Sequence, residues 1–252
     1  MRKMVWIAMI WFSVSTAQAR ETIIIAAAAD LVYCIQELNE AFAKINPGTE
    51  VTVSVGSSGT FFAQIRNGAP FDVYLSADMN FPRRLVKEKA AEASSLTPYA
   101  FGRIVVWAIR ADVDIKAGIA ALENPAISRI AIANPEHAPY GRAARAAMQN
   151  SGVWKHVEQK VVMAENIVQT RQFVQTGNAE VGIIALSLVM APMMQGVGRY
   201  VLVPEDMHPR LEQGAVLTNK GFSNPAARAY MEFLRSPQAR SIFERYGFVL
   251  PK

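Results

Sequence analysis

Thr22-Ile23-Ile24-Ile25-Ala26-Ala27-Ala28-Ala29, followed at once by Leu31, Cys34, Ile35, Leu38 and Phe42 at helical spacing, decides the fold. The first eight residues form an unbroken apolar run led by β-branched side chains, the pattern of a strand buried on both faces. The residues after it put their apolar side chains on one stripe of a helix. A buried strand that runs straight into an amphipathic helix is the opening half of a βαβ unit.

Working outward, Asn46-Pro47-Gly48 stops that helix, and Val51, Val53 and Val55 alternate with Thr52 and Ser54 as a second strand. Gly56-Ser57-Ser58-Gly59-Thr60 then opens a helix that ends at Asn67-Gly68, and residues 73–77 form a third strand after Pro70. Strand, helix, strand, helix, strand predicts a doubly wound α/β unit with a parallel sheet. The rhythm restarts in a second α/β unit with strands at 104–109, 130–133 and 181–185 and with helices after Tyr140-Gly141 and after Asn166. Asn224-Pro225 and Ser236-Pro237 begin two final helices, a capping side chain before a proline at the first helical position. Tyr246-Gly247 closes the last one. No glycine- or serine-rich linker separates the two units, so short extended crossings are expected to join them.

Residues 1–19 read as a signal peptide: Arg2 and Lys3, an apolar run over 4–14, and the small-x-small site Ala17-Gln18-Ala19. The run is shorter than the roughly 20 apolar residues a bilayer span needs. Cleavage after Ala19 would leave a chain outside the cytoplasm. Cys34, the one cysteine, cannot form an internal disulfide, so packing alone must hold the fold. Taking the two charges of Arg2 and Lys3 from the net +5 leaves +3, spread along the chain without basic runs, which excludes the usual nucleic-acid surface.

Open α/β sheets bind ligands beyond the carboxyl ends of their strands, where helix N-termini converge. Gly56-Ser57-Ser58-Gly59-Thr60 is the sharpest such turn, with two glycines for close approach, the hydroxyls of Ser57, Ser58 and Thr60, and the free N–H groups of a new helix. That is an anion cradle without the lysine of a phosphate-binding P-loop. Asn134 to Gly141 and Glu165-Asn166-Ile167 lead into helices that can supply further backbone donors. Asp30 reads as an N-cap pointing away from any anion. Enzyme chemistry finds little support. There is no Gly-x-Ser-x-Gly, His137, His156 and His208 are isolated, and Cys34 lies on an apolar stripe. A hydrolase with Ser58 as nucleophile would need His137 brought to it across a cleft.

The blocks Ile25-Ala26-Ala27-Ala28-Ala29-Asp30-Leu31, Gly56-Ser57-Ser58-Gly59-Thr60, Gly68-Ala69-Pro70-Phe71-Asp72-Val73-Tyr74-Leu75-Ser76-Ala77-Asp78, Asn134-Pro135-Glu136-His137-Ala138-Pro139-Tyr140-Gly141 and Tyr246-Gly247-Phe248 stand in this order along the chain. Together they resemble the periplasmic molybdate-binding proteins of ABC importers. The resemblance implies a periplasmic binding protein fold of type II, two doubly wound α/β lobes with a ligand cleft between them. It implies a first lobe of residues 20–101, a second of 102–203 and a return to the first over 204–252. It implies a monomer that is no enzyme, needs no cofactor and holds no metal through direct ligands. The ligand would be a tetrahedral oxyanion, molybdate or tungstate, delivered to a membrane permease; another oxyanion or a small organic acid is the alternative. By position, Ser58 would give hydroxyl and N–H, Tyr140 and Ile167 their backbone N–H groups, and Ser57 and Ala29 would stand beside them. Ala29 and Ala185 occupy places where family members carry hydroxyls. An alignment that puts Asp30 itself at the ligand position sets a carboxylate against an anion.

Overall fold

Strand β1 (Glu21–Ala28) is the axis of the first sheet. It pairs in parallel with β2 (Thr49–Gly56), from Glu21 opposite Thr49 to Ala28 opposite Gly56, and on its other edge with β3 (Val73–Ser76). The structure is a computed structural model that describes residues 21–252. The expected signal peptide lies outside the described residues. Helices α1 (Cys34–Ile45), α2 (Ser58–Arg66) and α3 (Asn80–Lys87) follow the three strands. The α1 stripe buries Cys34, Ile35, Leu38 and Phe42, and the Phe42 ring meets Tyr230 edge to face at 4.9 Å.

After β4 (Thr97–Gly102) the chain crosses into a second sheet built from β5 (Ile104–Ala108), β6 (Ile130–Ala133), β7 (Val161–Ala164), β8 (Val181–Ala185) and β9 (Arg199–Leu202). Its helices are α4 (Pro139–Asn150), α5 (Trp154–Val157), α6 (Ile167–Gln175) and α7 (Leu186–Val189). The chain then returns: β10 (Leu211–Leu217) enters the first sheet, and α8 (Asn219–Phe222), α9 (Pro225–Phe233) and α10 (Pro237–Arg245) pack onto it. The side chains of Asn224 and Ser236 cap α9 and α10 as their sequences predict.

The strand orders are β2-β1-β3-β10-β4 and β7-β6-β8-β5-β9, one sheet per lobe. The three strands expected to be parallel, β1, β2 and β3, are so, and each sheet also carries one reversed strand. β10 runs antiparallel to both β3 and β4, and β5 antiparallel to both β8 and β9. The reversed strands are those at the two crossings, where the chain arrives from the other lobe instead of through a local βαβ turn. Asp72 and Asp78, which flank β3, do not meet as a pair. Asp72 is fully buried and accepts from the Ile24 N–H and from Lys220, while Asp78 faces Arg142 of the second lobe.

Candidate functional site

The carboxyl ends of β1, β2 and β3 and the N-termini of α2, α4 and α6 close around one narrow cavity. The first lobe contributes Ala28, Ala29, Asp30, Gly56, Ser57, Ser58 and Ala77, and the second Ala138, Pro139, Tyr140, Asn166 and Ile167. Five of the six positions singled out in the sequence, Ala29, Ser57, Ser58, Tyr140 and Ile167, thus line a single space. Ala185 does not. It is fully buried at the end of β8, opposite Ile104, and precedes α7. A broader, open hollow along Thr60, Ala63, Gln64 and Asn67 has no Lys, Arg or carboxylate in its lining.

First-turn N–H groups of a helix have no acceptor within it. Those of Ser58 and Ile167, which open α2 and α6, and of Tyr140, which follows Pro139 at the start of α4, find none elsewhere among the described residues. Asn166 explains how α6 keeps its first donor free. Its side chain accepts from Val168 and Gln169, satisfying the next two N–H groups and leaving that of Ile167 to the cavity.

The two serines of the cradle divide their work. Ser57 Oγ donates to the carbonyl of His137 in the second lobe at 2.6 Å. Ser58 Oγ accepts the Ala77 N–H at 3.0 Å, which leaves its own O–H to donate. Ser58 is 1% exposed, so the hydroxyl is fixed and dry. Among the cavity residues no side chain is cationic, and Asp30 alone carries a carboxyl group.

Asp30 is not an N-cap. It sits in the 3-10 turn Ala29–Leu31, α1 begins only at Cys34, and neither element has a side-chain cap. Instead Asp30 Oδ2 accepts from the Tyr140 hydroxyl at 2.9 Å and from Gln213 Nε2 at 2.6 Å, while Oδ1 has no partner. Burial pushes its pKa up from 3.8 to about 6, against the lowering effect of those two hydrogen bonds. The Tyr140 phenol is itself pushed well above its ordinary range by burial and by the neighbouring Asp30, so it stays a donor. Sequence reasoning had no access to this arrangement, because Gln213 stands 183 residues from Asp30 and no local pattern marks it.

The lobes touch around the cavity. Gly59 N–H and Ser57 Oγ both donate to His137 O, Ser187 Oγ donates to Asp30 O, and Arg142 pairs with Asp78 at 2.5 Å. A Cβ on Gly59 would stand 2.6 Å from His137 O, and one on Gly141 would stand 1.9 Å from Ala133 O, so both close approaches require glycine. His137 therefore matters through its backbone. Its ring lies 3.0 Å from the Glu165 carbonyl and 3.2 Å from the Glu165 carboxylate, and no hydrogen bond joins it to Ser58. The hydrolase pairing of Ser58 with His137 is not assembled. No group of three metal-ligating side chains occurs among the described residues.

Residues 23–249 match the model of a family described as bacterial extracellular solute-binding protein. The chain belongs to that family. Within it, the chain is 40% identical over 228 residues to the molybdate-binding protein ModA of Rhodobacter capsulatus, covering 90% of this chain and 88% of that one. It is 38% identical over 234 residues to ModA of Azotobacter vinelandii, covering 93% and 92%. The solved Azotobacter vinelandii periplasmic molybdate-binding protein superposes with a TM-score of 0.86 at 29% identity, over 91% of this chain and all of that one. Two α/β lobes around a cleft are thus common to this family member and its solved relative.

Proposed function

We propose that this chain captures molybdate or tungstate outside the cytoplasm and hands it to an ABC transporter in the membrane. One observation carries the reading. Three first-turn N–H groups and one O–H without acceptors, from Ser58, Tyr140 and Ile167, open onto a cavity that holds no cationic side chain. Neutral, pre-oriented donors suit a small oxyanion held by hydrogen bonds alone. The relatives named above bind molybdate, and at their identity and coverage the same donor set is expected to serve the same ligand. What supports capture over chemistry is the solute-binding family, whose model spans residues 23–249. The chain acts as a monomer exported by cleavage after Ala19, and lobe closure presents a joint surface to the permease.

A thermal-shift panel tests this. A ligand at a hundred times its dissociation constant stabilises the native state by about 2.7 kcal/mol, which for a domain of this size raises Tm by roughly 5–10 °C. Molybdate and tungstate should give that shift and sulfate, a smaller tetrahedral dianion, much less. A clear shift with an organic acid and none with either metal oxyanion would transfer the site to that ligand class.

A further inference from the structure

The cavity proposed to hold an anion has Asp30 in its lining, an acid whose charge opposes the ligand unless a proton removes it. Asp30 is 1% exposed and borders the cavity. Its Oδ2 is held by Tyr140 and Gln213, and its Oδ1 has no partner among the described residues. Its side-chain partners there are both neutral. The helices α6 and α7 and strand β2 pack on its turn. From α6 the charged residue is Arg171, which stacks over the Tyr33 ring at 5.2 Å and is not paired with Asp30. From α7 comes the Ser187 hydroxyl, bonded to the Asp30 carbonyl, and from β2 the uncharged end at Gly56. The other titratable neighbours are Tyr140, Tyr99 and Cys34, all kept neutral because burial pushes them up.

We propose that Asp30 and the bound oxyanion share one proton, so that the cleft takes up a hydrogen ion from solvent each time it captures a fully deprotonated oxyanion such as molybdate. The inference rests on the molybdate reading above. Two acids forced together at close range cannot both ionise, and one proton between them removes the repulsion. The proton goes on Oδ1, the free oxygen, and turns an orphaned acceptor into a fifth donor, an O–H to O⁻ hydrogen bond of the short, charge-assisted kind. Oδ2 becomes the carbonyl oxygen of the acid and continues to accept from Tyr140 and Gln213. No covalent bond forms or breaks. Burial has already brought the Asp30 carboxyl to about 6, so the proton is within reach near neutral pH.

Calorimetric titration of the purified protein with molybdate, in buffers of different ionisation enthalpy, counts the protons. Uptake should approach one at pH 8 and fall well below one at pH 5.5, where most Asp30 is protonated before the ligand arrives. Affinity should drop about tenfold for each pH unit above 6, the value for one linked proton. Asp30→Asn keeps an oxygen for Tyr140 and Gln213 and places a permanent N–H donor at the free position, so its affinity should be flat with pH and should exceed the unmodified protein's at pH 8 by tenfold or more. Binding at pH 8 without proton uptake, or an Asn variant that retains the pH slope, overturns the proposal. The proton count on the unmodified protein stands even if the variant fails to fold. Failure of the unmodified protein to bind molybdate or tungstate at any pH refutes the molybdate reading, and this inference with it.

Discussion

In the proposed site Ser58→Ala deletes one oxygen with two partners, the oxyanion and the Ala77 N–H, and the two losses appear in different measurements. Toward the ligand, the variant gives up a hydrogen bond from a neutral donor to a charged acceptor, worth about 1.5–3 kcal/mol. At 1.4 kcal/mol per tenfold, oxyanion affinity should weaken roughly 10- to 150-fold. Toward the protein, Oγ no longer accepts the Ala77 N–H at 3.0 Å, and Ala77 is 1% exposed, so no water replaces it. An orphaned buried N–H costs about 1–3 kcal/mol, which should lower the unliganded Tm by roughly 2–10 °C. Ser57→Ala is the control. It loses the bond to His137 O, but that carbonyl keeps the Gly59 N–H at 2.9 Å, so the loss is one neutral hydrogen bond of about 1 kcal/mol, or roughly fivefold in affinity. Calorimetry on both variants decides the matter. Equal losses, a loss confined to Ser57→Ala, or an unchanged Ser58→Ala would mean that the cradle donates through a different side chain.

Further expectations follow from the lobe contacts and from Asp30. Gly59→Ala places a Cβ 2.6 Å from His137 O, so the lobes cannot approach fully. Oxyanion affinity should fall tenfold or more while the unliganded Tm changes little, and small-angle scattering with saturating molybdate should show a larger radius than the unmodified protein. Asp30 also shapes stability without ligand. Its carboxyl is pushed up from 3.8 to about 6 in the folded chain, so the native state binds more protons than the unfolded one between those values. Stability from this group is therefore greatest below pH 4 and is lost as pH rises through 6, by about 3 kcal/mol in all. Urea unfolding of the unmodified protein and of Asp30→Asn at pH 4.5 and pH 7 should show the difference between them shift in favour of Asn at the higher pH; a constant difference would contradict it.

Much of the architecture was legible because it is written locally. The run of 22–29, the alternation at Val51, Val53 and Val55, and the capped prolines at Asn224-Pro225 and Ser236-Pro237 are short-range patterns with short-range causes, and each became the element it predicts. β10 was not read: the C-terminal segment shows helix starts, and nothing in Leu211–Leu217 says that it slots between two strands more than a hundred residues upstream. The site divides the same way. Helix starts at Ser58, Tyr140 and Ile167 advertise donors in the sequence itself. Asp30 misled because an acid just before an apolar helical stripe has the local signature of a cap. Burial beneath the second lobe overrode that signature, and the hydrogen bonds that now hold its side chain come from Tyr140 and Gln213, both remote in sequence.

The place of β10 has a consequence for how the chain acquires its shape. β4 touches the rest of its sheet only through β10, so until residue 217 has been made the first lobe is a three-stranded fragment with an orphan strand beside it. All five strands of the other sheet lie within 104–202, one uninterrupted stretch. Loop closure over that insertion must precede the final pairing of β10 with β3 and β4, and such long-range pairing is slow. The middle of the sequence is therefore the part that can finish folding first, and the lobe holding the serine cradle is completed last, around a partner already in place.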